Sequence, residues 1–244
     1  MKQIIRDAEP ISFFKGEKKI EFYQDLRDDK GKIRDRWNLP TYKKDLVEVL
    51  LRMSRGECSF CGTKLGESNL DVEHYLPKEQ FPYLSYCFEN YLASCKPCNQ
   101  NRKRSYYPRS LESRKDKLGE SVLVGHIEGI NIEAYNKQAL LTNTSDRIIE
   151  PSFDNIQEHL EFSPETTNYR AKTNIGIETN RMFFNHSEVL IFLQKISSQV
   201  MKMIQEGSSK ETILNWSDIT GYSFYIEQFY EYWIDFLNPS SENT

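Results

Sequence analysis

Apolar residues recur at helical spacing in several stretches of the chain. Leu46, Val49, Leu50 and Met53 stand at i, i+3, i+4 and i+7, which predicts an amphipathic helix over 41–54 with Thr41 as its N-cap and Gly56 just past its end. A longer stripe of Val189, Leu190, Leu193, Ile196, Val200, Met203 and Ile204 predicts a helix from about 187 to 206, capped by Gly207. A shorter helix is expected over 174–184, although Gly176 weakens it. The last helix, about 222–237, carries Tyr222, Tyr225, Ile226, Phe229, Trp233 and Phe236 on one side, with Tyr230 and Tyr232 on the other. Such an aromatic surface is core by default; the alternative is a docking face for another chain or a second copy.

Strand patterns are shorter. Residues 69–74 alternate in part and are bounded by Gly66 and Pro77, so a strand is expected there. Residues 78–94 read as a loop and short helix rich in aromatics. Pro97 opens a helix to Arg104, which would set Asn99, Arg102 and Lys103 on one face. Short extended pieces are expected at Val122–Val124, Ala139–Leu141, Ile148–Ile149 and His159–Phe162, punctuated by Gly125, Gly129, Pro151 and Pro164. Residues 1–40 form a polar arm of mixed charge that docks on the rest. The expected organisation is an N-terminal arm and helix (1–54), a compact core (55–110), and a mixed, then helical, C-terminal region (111–244).

Composition narrows the class. A chain of 244 residues and 28.8 kDa makes one or two domains with a proper core. No run of 18 apolar residues occurs, so no membrane partner is expected, and Met1–Asp7 lacks the features of a secretory signal. A reducing cytoplasm is the expected location. There, paired Cys-x-x-Cys motifs hold metal more often than disulfides. Cys58 and Cys61 form one such pair, Cys95 and Cys98 the other, which is what a closed tetrahedral thiolate site for structural zinc requires. Cys87 is left over and is expected to be a small buried residue. The net charge of −4 argues against a nonspecific nucleic-acid coat. Yet residues 96–117 hold eight Lys or Arg against two acids, a local +6. Such a stripe suits a phosphate-binding neighbourhood.

Glu73-His74 and Asn90 inside the cysteine clamp, with Asn99 at its far edge, make a constellation. A neutral imidazole titrates near working pH, so His74 is the candidate general base. Glu73 and the Asn99 carbonyl are hard oxygen ligands suited to magnesium or manganese. Asn90 is the candidate for fixing the His74 ring and tautomer. Arg102 and Lys103, with Arg104 and Lys78, are candidates for contacting nucleic-acid phosphates. Asp71 shares a strand face with Glu73 but is expected to be solvated. His126, His159 and His186 show no ligand spacing and are expected to be structural or on the surface. Tyr106 and Tyr107 are expected to pack onto the core rather than stack on a base.

These residues, in this order, resemble the HNH endonucleases, whose ββα-metal motif spans Cys58 to Lys103 here. The resemblance implies an α+β fold, mainly helical, built around that motif and clamped by the four-cysteine zinc site. It implies Glu73 and Asn99 as metal ligands, His74 as base and Asn90 as the middle residue. The last position is most often His in that family, so this is an H-N-N variant, expected to prefer magnesium or manganese over softer metals. The stretches "IIEPSFDNIQEHLEF" and "TNIGIETNRMFFNHSEVL" extend the resemblance to the HNH subunits of Septu-type and retron-associated anti-phage systems. Those nucleases work beside an ATPase of the ABC/SMC type. DNA is the expected substrate. RNA such as transfer RNA is an alternative, because hydrolysis by activated water needs no 2′-hydroxyl. A non-catalytic, zinc-dependent binding module is the other alternative.

Overall fold

The structure, a computed structural model, describes residues 1–6, 16–115 and 137–238. The expected extended piece Val122–Val124, with Gly125, His126 and Gly129, lies outside them. Helix α1 (Gly16–Gln24) is followed by α2 (Pro40–Met53), which buries Leu46, Val47, Val49, Leu50 and Met53. Thr41 is not the cap. The helix starts one residue earlier because Pro40 has φ already set for the first turn and no N–H to satisfy.

Strand β1 (Leu70–His74) pairs antiparallel with β2 (Tyr91–Cys95), setting Glu73 opposite Leu92 and His74 opposite Tyr91. Every residue of β2 is buried, so the strand lacks the polar alternation that marks a half-exposed one. Its register carries Asn90 to the start of β2 and Cys95 to its end. Helix α3 (Pro97–Lys103) follows at once and is wound in the wide π manner, with the Arg104 N–H closing back on the Asn99 carbonyl at 2.8 Å. That winding turns Arg102 away from the direction shared by Asn99 and Lys103, so the expected three-residue face does not form.

Beyond the hairpin, Ala139–Leu141 is helical, within α4 (Lys137–Thr142), rather than extended. A short apolar run fits either state. Helix α5 (Ile156–His159) leads into a second antiparallel pair, β3 (Leu160–Ser163) and β4 (Asn168–Ala171). In α6 (Asn174–Phe183) Thr173 is the N-cap, accepting from the Gly176 N–H at 3.2 Å. Gly176 is tolerated because it is needed: a Cβ there would lie 2.0 Å from the His159 carbonyl oxygen.

Helices α7 (Ser187–Gln205), α8 (Lys210–Asn215), α9 (Ser217–Thr220) and α10 (Ser223–Leu237) complete the fold. Gly207 has φ 78 beyond α7, the left-handed cap its position predicts. The first turns of α10 are core, with Tyr225, Ile226 and Phe229 buried, and Trp233 donates from Nε1 to Ser197 Oγ on α7 at 2.9 Å. Only the distal end is open: Phe236 is 63% exposed.

One hydrophobic cluster runs from Met1 and Ile4 through the hairpin to Phe229. The first residues dock on it. Arg6 donates to the carbonyls of Phe88 and Tyr91, both at 3.0 Å, fixing the entry to β2.

Candidate metal centre and cleft

The hairpin and α3 divide two sites between them. On one side Cys58, Cys61, Cys95 and Cys98 are buried, with their sulfurs all within 4.8 Å of one another. Cys61 Sγ and Cys95 Sγ lie 3.7 Å apart, close to the edge of about 3.8 Å that a tetrahedron of ~2.3 Å Zn–S bonds requires. The donor set therefore fits a tetrahedral zinc ion. Backbone geometry builds the first pair: Cys58 N–H donates to Thr63 O at 2.8 Å and Gly62, at φ 83, donates to Cys58 O at 3.0 Å. The second pair leaves β2 and opens α3, and the Cys95 N–H points at Cys58 Sγ from 3.3 Å.

Two further groups finish this centre. Arg102 donates from Nη1 to Cys98 Sγ at 3.5 Å and from Nη2 to Glu188 at 3.3 Å, so its cation faces the thiolates. The segment before α10 lies on the first knuckle, where Tyr222 N–H donates to Gly62 O at 2.6 Å. Glu57 accepts from the N–H of Ser223 at 2.9 Å and from its hydroxyl at 3.0 Å, capping α10 from far away in sequence.

On the other side lies an open cleft of about 660 Å³ lined by Glu73, His74, Asp71, Asn99, Lys78 and Arg104 among others. His74 is buried, and its Nε2 is 3.1 Å from the Ser85 carbonyl. A carbonyl only accepts, so Nε2 carries the proton and Nδ1 keeps the lone pair. Burial pushes the imidazole down to about 3, so it does not titrate near working pH as expected from the sequence, and the ring stays neutral at ordinary pH. Tyr91 stands edge-on to it, with ring centroids 4.7 Å apart, and its hydroxyl donates to the same Ser85 carbonyl.

Glu73 is buried as well. Desolvation raises its carboxyl above the usual value, opposed by the Lys103 ammonium that pairs with Oε1. Asn99 donates from Nδ2 to Asp71 Oδ2 at 3.2 Å, and Gln100 donates to the same oxygen at 2.8 Å. Asp71 thus ties α3 to β1 and is not merely solvated. Among the described residues, the four cysteines are the only cluster of three or more His, Cys, Asp or Glu placed to share a metal. Glu73 and the Asn99 side-chain carbonyl, the two oxygen ligands expected for a hard cation, both line this cleft, and oxygen donors of that kind suit magnesium or manganese.

Several expected residues stand elsewhere. Asn90 does not reach the imidazole. Its amide accepts from Leu76 N–H at 2.8 Å and donates to Leu76 O at 2.8 Å and Leu84 O at 3.4 Å, so it staples the loop that follows His74. Lys103 is buried, away from any solvent-borne phosphate, and Arg102 serves the sulfur side. Of the four phosphate candidates, only Lys78 and Arg104 line the cleft. The basic stripe is accordingly divided between different surroundings. His159 and His186 bond Thr173 Oγ1 at 2.8 Å and Met182 O at 2.9 Å, both structural roles. Tyr106 donates to Asp146 O at 2.8 Å and Tyr107 packs on Phe81, as expected for core residues. Cys87 is half-buried rather than buried, and its thiol, which donates to Glu89 at 3.0 Å, is pushed up to about 12 by burial and that carboxylate. Sequence reasoning had no view of Ser85, whose role rests on its carbonyl, or of Glu57.

Comparison with curated proteins finds two relatives. This chain is similar to the Septu protein PtuB. It is 40% identical over 65 residues to the Bacillus thuringiensis protein, a match covering 26% of this chain and 24% of the relative. It is 25% identical over 175 residues to the one from Bacillus mycoides (strain KBAB4), covering 65% of this chain and 50% of the relative. The chain thus spans half or less of the PtuB relatives it matches. No protein-family model and no solved structure matches it. No helix among the described residues is long and apolar enough to cross a membrane.

Proposed function

We propose that this protein is a metal-dependent endonuclease of the HNH type, hydrolysing phosphodiester bonds of DNA as the effector of a two-component antiviral complex with an ATPase. The observation that carries the reading is the convergence of Glu73, His74 and Asn99 on one open cleft, braced by a separate four-cysteine clamp. The likeness to PtuB supports the defence role.

In this reading each residue has one task. Ser85 and Tyr91 hold the imidazole with Nε2 protonated, so Nδ1 is the atom that takes a proton from water. Glu73 and Asn99 would hold a magnesium or manganese ion, whose chemistry there would be to offset negative charge on the phosphate. Asn90 positions His74 through the main chain of Leu76. Lys78 and Arg104, at the cleft wall, receive the flanking phosphates. With three basic groups lining the cleft, Lys43, Lys78 and Arg104, and a net charge of −4, much of the grip on nucleic acid falls to the partner chain.

The test is His74→Ala, assayed on supercoiled plasmid with magnesium or manganese in the presence of the native partner. Cleavage should fall by about 10² to 10⁴ with zinc content unchanged. Undiminished cleavage would sink the reading.

A further inference from the structure

The residue this reading leaves without a task is Lys103. Its side chain is fully enclosed, yet it carries an ammonium. That group has two partners: the Glu73 carboxylate, through Oε1, and the His74 carbonyl oxygen at 3.0 Å. Both belong to β1, and both lie next to the atoms assigned to chemistry. The wide turn of α3 aims Lys103 inward on the side of Asn99. The carboxylate that would bind a divalent cation is therefore already in contact with an internal monovalent one.

We infer that Lys103 is an internal counter-ion for Glu73, a positioning residue that keeps divalent-cation binding weak until a phosphate enters the cleft. The inference rests on the reading of Glu73 as a metal ligand. Its physical basis is simple. Two like-signed centres sharing one buried carboxylate repel strongly where water cannot screen them. A carboxylate left alone in that place would be costly, so the lysine stabilises the protein while it opposes the metal. A phosphodiester brings negative charge and further oxygen ligands, which offset that repulsion. Metal and nucleic acid should then bind cooperatively, each raising the affinity of the other by the same factor. The free protein would carry little metal in the cleft at millimolar magnesium, and the nuclease would stay silent without substrate.

The experiment is direct manganese binding to the zinc-loaded full chain, followed by electron paramagnetic resonance, with no turnover involved. Wild type, Lys103→Met, Lys103→Gln and Lys103→Arg are compared, each also combined with Glu73→Gln. Lys103→Met should bind manganese at least tenfold more tightly than wild type, and the gain should vanish in the Glu73→Gln double variant. Lys103→Gln keeps a donor for the His74 carbonyl and should behave the same way, which covers the case in which Lys103→Met fails to fold. Lys103→Arg keeps the charge and should show no gain. A non-cleavable phosphorothioate DNA duplex should raise manganese affinity in wild type more than in Lys103→Met. Equal or weaker manganese binding by both neutral variants, with wild-type binding still lost in Glu73→Gln, would overturn the counter-ion role and leave Glu73 as a ligand. Binding that ignores Glu73 in every background would overturn both.

Discussion

The two sides of the β1–β2 hairpin are held by different means. On the sulfur side, four side chains of one type meet at one point, Arg102 faces them, and the segment before α10 closes over them. On the cleft side, Glu73, His74, Asn90 and Asn99 are held by hydrogen bonds to main chain, to Asp71 and to one lysine. In the first arrangement all four possible metal ligands come from the protein itself. The second is open, and its polar atoms are only partly committed to protein partners. The cysteine cluster and the candidate cleft thus share one scaffold of two five-residue strands, and α3 supplies groups to both.

The largest expected effect breaks both sides at once. Cys95→Ser removes one of four zinc ligands, and metal binding supplies on the order of 10 kcal/mol in small zinc units. The variant should lose its zinc, by atomic emission, and its near-ultraviolet dichroism together; a folded, zinc-free protein would separate the clamp from the fold. Asn90→Ala should damage the cleft side alone. It strips partners from the buried Leu76 and Leu84 main chain, at about 3 kcal/mol, seen as a lower urea midpoint with full zinc occupancy. Gly221→Ala strikes the sulfur side, because a Cβ there would sit 2.4 Å from Lys64 N at φ 76. A loss of about 2 kcal/mol is expected, with faster zinc release to a chelating dye.

The smallest effect concerns neither side directly. Lys137 is buried against Glu150, and burial outweighs that carboxylate to hold it at about 8, down from 10.5. Between those values the unfolded chain binds a proton that the folded chain does not. The stability due to neutral Lys137 is therefore full above the unfolded value and lost as pH falls to about 8. Wild type should gain on Lys137→Met by roughly 1 kcal/mol per pH unit between about pH 8 and 9.5, read from paired urea melts. A difference that is flat with pH would show the lysine to be charged in the fold.

How much of this the sequence disclosed follows the same divide. Cysteine pairs announce a closed site because only sulfur at that spacing makes one, and the four residues found together were those expected. Long stripes such as 187–206 located α7 to within a residue, since fifteen or more positions vote on the same period. The cleft was legible as a set of residues, and Glu73, His74 and Asn99 do line it. Their partners were not. The imidazole is held by a carbonyl, which every residue possesses, and Asn90 works on main chain. Arg102 and Lys103 were assigned to one face on α-helical spacing, and a wide turn separated them. Strand β2 lacked a signal because it is buried on both faces, and Ala139–Leu141 was too short for periodicity to distinguish helix from strand.

The docking of the α10 entry on the first knuckle bears on how the protein comes into being. Glu57 and Ser223 are brought together across 166 positions of sequence, and Gly62 and Tyr222 across a similar span. Closing so long a loop is slow compared with forming the hairpin or the helices. On a ribosome, the cysteines and the cleft residues emerge well before residue 223 does. Through that interval the knuckle would lack its cover, and the chain would hold its metal without its lock. A nuclease of the kind proposed above would gain from such an order, because completion of the scaffold waits until residues 222 and 223 have been made.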